Sequence, residues 1–195
     1  MGVRRWFGTD GIRGRTGKVP MTPEFVAAVG AAAGKFFAKD HPGGKVLVAR
    51  DTRGSGPALE AALAAGLEAS GLSVVRVGVM PSGAAAMIVP VVGACAGAIL
   101  SASHNPAGDN GLKFCRADGR KLEDAEEEQI EALLDLENPP RPGAQPGGVD
   151  FSCTPASLES YRKKLLAGFG AGFTLKGVKV MVDAANGAAW RTTPE

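Results

Sequence analysis

Lys45-Val46-Leu47-Val48-Ala49-Arg50, then Asp51-Thr52-Arg53-Gly54-Ser55-Gly56 and Pro57, is the stretch on which the fold turns. The run from Lys45 to Ala49, centred on Val46-Leu47-Val48, reads as a short buried strand. A polar loop follows, and Pro57 opens an alanine-rich helix through Leu59, Leu63 and Leu67 that Gly71 stops. Working outward, Ser73 to Val77 is a second strand, Ser82 to about Val89 a shorter helix, and Gly97 to Leu100 a third strand. Strand, helix, strand, helix, strand with short links is the pattern of a parallel sheet with right-handed crossovers. Upstream, Thr22-Pro23-Glu24 starts a further helix: a hydroxyl cap, a proline in the first turn and a carboxylate on the positive dipole end. Phe25, Val29, Ala32, Phe36 and Phe37 then recur at helical spacing.

The chain has 195 residues, 45% of them hydrophobic and 22% charged, an ordinary balance for a soluble globular protein. A net charge of +2 without a Lys/Arg block argues against nucleic acid as a partner. Three widely spaced cysteines, Cys95, Cys115 and Cys153, form no C-x-x-C pair, which fits reduced thiols in a cytoplasmic protein. The longest apolar stretch, Ala84 to Leu100, is broken by Pro90 and Gly93, so no membrane span is expected.

Polar chemistry gathers at Ser101-Ala102-Ser103-His104-Asn105-Pro106, followed closely by Asp109-Asn110-Gly111-Leu112-Lys113. The loop leaves the carboxyl end of a strand, where open α/β sheets place their ligands. Ser-His-Asn-Pro alone is equally a turn that caps its own backbone, but the nearby lysine and amide add chemistry that a turn does not need. Ser103 and His104 are neighbours expected to point apart, and the G-x-S-x-G elbow is absent, so a hydrolase pair fits poorly. Phosphoryl chemistry fits better, because it asks for positioning and positive charge more than for a strong base. A phosphoserine carries about −1.5 to −2 charge at neutral pH and needs cationic partners.

Phe7-Gly8-Thr9-Asp10-Gly11-Ile12-Arg13-Gly14 reads as a glycine-rich loop whose amides and Arg13 fork could receive an anion, or as a flexible arm. The Asp51 to Gly56 loop reads as an Asp-Arg ion pair and Asx turn that set the helix and could brace the Ser103 loop. His41 reads as an exposed turn residue, and the acidic run Glu123 to Glu128 as a solvated helix face. Lys113-Phe114-Cys115 reads as a short strand and Asp124 to Leu136 as an acidic helix. The proline- and glycine-rich Asn138 to Gly148 is the best boundary. Beyond it, Thr154-Pro155 caps a helix through Leu158, Tyr161 and Leu165, and Val178 to Val182 reads as a strand. These divide the chain into a first domain, 1–150, and an unfinished second α/β domain beginning in 151–195.

Ser101 to Pro106 with Asp109-Asn110-Gly111-Leu112-Lys113-Phe114 resembles the phosphoserine loop of the α-D-phosphohexomutases. Phe7 to Gly14 resembles the N-terminal signature of the branch that acts on glucosamine phosphates. Arg50-Asp51-Thr52-Arg53 with Ser55-Gly56, and Val182-Asp183 with Ala185-Asn186-Gly187-Ala188, match two further family segments. The resemblance implies an α/β/α sandwich with a mostly parallel mixed sheet, the first domain of a four-domain enzyme. It implies interconversion of 6-phospho and 1-phospho sugars through a bisphosphorylated intermediate. Ser103 would be the phosphoserine, and its phosphate a ligand of Mg²⁺. Arg13 and Lys113 would stabilise charge, with Lys113 a proton carrier and His104 lining the pocket. The partners implied are the phosphosugar and the remaining domains of the same polypeptide. A sister mutase acting on phosphoglucose or phosphomannose, or a non-catalytic phosphate-binding module, are the competing readings. Met80-Pro81-Ser82-Gly83-Ala84 departs from the family pattern, with Ser82 expected to cap the helix.

Overall fold

The computed structural model describes residues 4–141, 155–170, 172–190 and 192–193. In chain order the elements are β1 (Ile12–Arg15), α1 (Pro23–Ala38), β2 (Lys45–Arg50), α2 (Gly56–Ala69), β3 (Ser73–Val79), α3 (Ser82–Ile88), β4 (Ala96–Leu100), β5 (Asp109–Arg116), α4 (Asp124–Ala132) and α5 (Pro155–Ala167). The sheet order is β1-β5-β4-β2-β3. β2 runs parallel to both β3 and β4, whereas β5 runs antiparallel to both β4 and β1. The mixed sheet is thus parallel on one side and antiparallel on the other.

Chain direction across the sheet reverses between the two crossovers. The first leads from β2 outward to β3, and the second leads back past β2 to β4. Two right-handed crossovers of opposite sense must put their helices on opposite faces. The core divides accordingly. α1 and α2 bury Phe25, Val29, Leu59, Leu63 and Leu67 with Val46, Val48, Ala98, Leu100 and Phe114. α3 buries Ala84, Ala85 and Ile88 with Leu47, Ala49, Ile99 and Cys115 on the other side, joined by Tyr161 of α5. Alternate residues of each strand feed the two cores, so the sheet is covered on both faces. α1 starts as its sequence indicates, with the Thr22 hydroxyl accepting from the Phe25 amide at 3.2 Å.

Several local readings change. The segment expected as a glycine-rich loop or arm contains β1, because the backbone of Ile12–Arg15 pairs with Leu112 to Asp109. β5 is longer than the three residues expected from its apolar content, since it lies between two partners and its polar residues join the ladder. α4 ends at Ala132, short of Leu136, and Leu133 adopts the cap position. Ser82 is the first residue of α3, while Pro81 holds the cap position without a side-chain bond. The acidic run is only partly solvated. Glu127 is 1% exposed and pairs with Arg4 and Lys121, and Glu126 closes a capping box and binds Arg116. An isolated carboxylate could not be buried there without those cations.

Residues 178–182 form no strand; Val178, Val180 and Val182 are exposed, and among the described residues no strand pairs with them, the Val178 amide donating only to the nearby Leu175 carbonyl at 2.9 Å. An alternating pattern becomes a strand only where another backbone accepts it. The Thr154 cap, Cys153 and most of the Asn138 to Gly148 boundary lie outside the described residues. His41 is exposed in a turn as expected. Cys115 is buried, and burial pushes its thiol up to about 11, which leaves it without nucleophilic character. Among the described residues, no helix is long and apolar enough to cross a membrane.

Candidate active site

β2 and β4 are parallel neighbours that end together, with Arg50 opposite Leu100. The loops that follow them therefore leave the same edge side by side. The Asp51 amide donates to the Leu100 carbonyl at 2.9 Å, and the Ser101 amide to the Gly111 carbonyl at 2.9 Å. Both loops are thus anchored at their first residue. This is the carboxyl edge of the parallel strands, where the open sheet leaves room for a ligand.

Asp51 and Arg53 then build the floor of the Ser103 loop. The Asp51 carboxylate accepts from the Arg53 amide and from Arg53 Nε, each at 3.0 Å, which locks the guanidinium in one orientation. The fork reaches across to four carbonyls of the loop. Nη1 donates to Pro106 at 2.6 Å and Asp109 at 2.8 Å; Nη2 donates to Ser103 at 3.0 Å and Asn105 at 2.8 Å. The Ser101 hydroxyl donates to Asp51 Oδ2 at 2.7 Å and accepts from the Ser103 amide at 3.0 Å. The sequence reading of this segment as an ion pair with an Asx turn is correct. Its brace on the Ser103 loop is far more extensive than the residues alone reveal.

Held this way, Ser103 takes a left-handed backbone, φ 56°, at an exposed position. Such a conformation costs an L-residue roughly 1–2 kcal/mol and persists only where the surroundings over-determine it. Its hydroxyl lies 3.5 Å from His104 Nδ1, so the neighbours do not point apart as expected. At that separation the contact is too long for an activating hydrogen bond. Ser103 and His104 open onto a cavity of about 700 Å³, also lined by Asp51, Arg53, Ser101 and the backbone turn around Gly187. Thr52 Oγ1 donates to the Asn186 carbonyl at 3.0 Å and joins that turn to the β2 loop.

The two expected cations stand together beside this loop. Arg13 Nη2 lies 2.5 Å from Asp10 Oδ2, and Lys113 Nζ lies 3.5 Å from the same oxygen. Arg13 Nη1 also donates to Asn105 Oδ1 at 3.4 Å, two residues beyond Ser103. β1 and β5 place them: Arg13 faces Gly111, and a Cβ at 111 would come 2.6 Å from the Ser101 carbonyl and 3.1 Å from Arg13 Cγ. Only glycine allows the arginine stem and the loop to meet there. Burial alone would push Asp10 up, but the Lys113 charge and the Arg13 guanidinium outweigh it and hold the carboxyl below its usual range.

Asn110 has a different task. It is fully buried, donates to Ser55 Oγ at 2.8 Å and accepts from the Gly111 amide, which pins β5 to the start of α2. Mg²⁺ needs a near-octahedral oxygen shell. Asp51, the carboxylate in the Ser103 cavity, is already engaged by Ser101 and Arg53. Among the described residues no group of three His, Cys, Asp or Glu could hold a metal ion. The residues present therefore do not make a magnesium site by themselves.

The chain matches the model of the phosphoglucomutase/phosphomannomutase family, alpha/beta/alpha domain I, over residues 4–140. It belongs to that family. It is 43% identical over its whole length to a phosphoglucosamine mutase of Deinococcus deserti, and 47% identical over 99% of its length to one of Thermus thermophilus. The chain spans 43% and 42% of those two proteins, less than half of each. Among solved structures it resembles a putative phosphomannomutase, also from Thermus thermophilus, with a TM-score of 0.72 and 32% identity, covering 87% of this chain and 37% of that one.

Ser103→Gly and Ser103→Ala both remove the hydroxyl, but only glycine relieves the left-handed backbone; urea unfolding should find the glycine variant more stable by about 1 kcal/mol. Arg53→Ala removes the guanidinium from Asp51 and from four carbonyls and should lower stability by about 2–4 kcal/mol. Arg53→Lys should recover less than half of that loss, since an ammonium lacks the planar fork. The depressed Asp10 carboxyl adds stability above its unfolded value of about 3.9, and that contribution is lost as pH falls through the folded value. The difference in Tm between wild type and Asp10→Asn should therefore be small but positive at pH ~7 and shrink as pH falls through the folded value.

Proposed function

We propose that this chain is the N-terminal part of a phosphoglucosamine mutase, with residues 1–150 as its first domain and 151–195 leading into a second. The enzyme interconverts glucosamine 6-phosphate and glucosamine 1-phosphate in the cytoplasm. The observation that carries this reading is an exposed serine hydroxyl, held in a strained backbone at the mouth of a cavity, with two cations beside its loop. The names of the full-length relatives support the substrate.

In the forward direction phosphorylated Ser103 gives its phosphoryl group to the free sugar hydroxyl. The phosphorus–Oγ bond breaks as the new phosphorus–oxygen bond forms; the sugar hydroxyl gives up its proton and the released Ser103 Oγ takes one up, regenerating the hydroxyl. The resulting bisphosphate returns its other phosphoryl group to Ser103 Oγ and leaves as product. Charge builds on the transferring group's oxygens, so catalysis rests on fixed positive charge and alignment. Arg13 and Lys113 fill the first need, with Lys113 also carrying the proton. His104 Nδ1, within 3.5 Å of Oγ, lines the pocket and orients the sugar. Mg²⁺ would further neutralise the phosphate, with one ligand from the Ser103 phosphate and the carboxylates from the rest of the polypeptide. A sister mutase acting on phosphomannose is the second reading, favoured by the name of the structural neighbour at 32% identity.

Intact-mass analysis of the full-length polypeptide, before and after incubation with glucosamine 1,6-bisphosphate and Mg²⁺, tests this proposal. A gain of one phosphoryl group that maps to Ser103 and disappears in Ser103→Ala is expected. Labelling by mannose 1,6-bisphosphate alone would favour the sister mutase, and no labelling by either would sink both readings.

A further inference from the structure

The last turn of α4 holds a carboxylate that helix electrostatics disfavours. Glu131 lies one residue before the end of the helix, where the macrodipole is negative and a cation would be stabilising. Its oxygens are turned to three successive backbone amides of the N-terminal segment. Oε2 accepts from Arg5 at 2.8 Å, and Oε1 accepts from Trp6 and Phe7, each at 2.7 Å. Consecutive amides converging on one anion form a nest, and here the anion is supplied from within the chain.

The same helix grips the segment again one turn earlier, where Arg4 pairs with Glu127 and with Asp124 at 2.8 Å. Downstream there is little slack before the site. Phe7 is buried, the Gly8 amide donates to the Gly11 carbonyl at 2.9 Å, and Lys121 Nζ holds the Thr9 carbonyl at 2.6 Å. Ile12 then enters the β1 ladder, and Arg13 projects to Asp10 and Asn105. The path from Glu131 to the Arg13 guanidinium is continuously bonded.

We infer that Glu131 is a positioning residue: by fixing the amides of residues 5–7 it sets where Arg13 and Asp10 stand against the Ser103 loop. The inference rests on the proposed role of Arg13 in phosphoryl transfer. Glu131 touches neither substrate nor the reacting oxygen, and it acts through the segment it holds. Its loss should therefore lower the rate of phosphoryl transfer and leave sugar-phosphate binding nearly unchanged.

The test compares Glu131→Ala and Glu131→Gln in the full-length polypeptide. Glutamine keeps one carbonyl oxygen, enough to accept from Trp6 and Phe7, and so should restore most of what alanine loses. Amide hydrogen exchange over residues 5–13 should speed up about tenfold or more in Glu131→Ala, while α1 and α2 exchange as in wild type. With glucosamine 6-phosphate, kcat should fall about 10–100-fold with KM within about twofold, the behaviour of a displaced charge-stabilising group. Unchanged exchange over 5–13 would overturn the clamp. Faster exchange with unchanged kcat would overturn its link to the reaction. A rise in KM equal to the fall in kcat/KM would also overturn that link. A wild type without mutase activity that still loses exchange protection in Glu131→Ala would strike at the functional reading alone, and the clamp would stand.

Discussion

One guanidinium carries the site. Arg53 is bonded to four carbonyls of the Ser103 loop, and its own orientation is set by Asp51. A loop rich in glycine, proline and small polar residues has many conformations of similar energy. Four charge-assisted bonds from a rigid planar fork select one of them. They also supply what holds Ser103 in its left-handed backbone, since a strained residue needs surroundings that leave it no alternative. The arginine is only 10% exposed at its side chain, so its bonds are little weakened by water. Its charge is directed at the backbone of the loop.

Two further cations come from the antiparallel half of the sheet. Arg13 on β1 and Lys113 on β5 meet at Asp10, and Arg13 reaches the loop through Asn105. A carboxylate between them lets two positive groups stand close without repulsion. It is a weaker ligand for them than a phosphate dianion would be, because it carries less charge. The parallel half of the sheet thus fixes the Ser103 loop, and the antiparallel half fixes the Arg13–Asp10–Lys113 cluster. β4 and β5 join the two, with Ser101 bonded to Gly111 at the seam.

The alternation of strands and helices from Lys45 to Leu100 was legible in the residues, because periodicity, caps and turn glycines act within a few positions. So was the position of the loop, which follows from a strand ending in polar residues. Other features were not legible. β1 has too few apolar residues to announce itself and exists because Asp109–Arg116 lies open to it. Glu127 looked solvated because it lies in an acidic run, and Arg4, the partner that covers it together with Lys121, lies far upstream. Val178 to Val182 carries a sound strand pattern, yet no described neighbour pairs with it.

The sequence by itself determined the class of fold, the two crossovers and a serine loop at the carboxyl edge, all products of local steric and hydrophobic preference. Only the tertiary structure decided the backbone of Ser103, the fourfold grip of Arg53, and the acidic helix as an anchor for the N-terminal segment. The reason is range. Arg53 acts on Ser103 across 50 positions, and Glu131 holds Arg5 across 126. Contacts of that span leave no period in the chain, and they exist only between elements that the folded structure brings together.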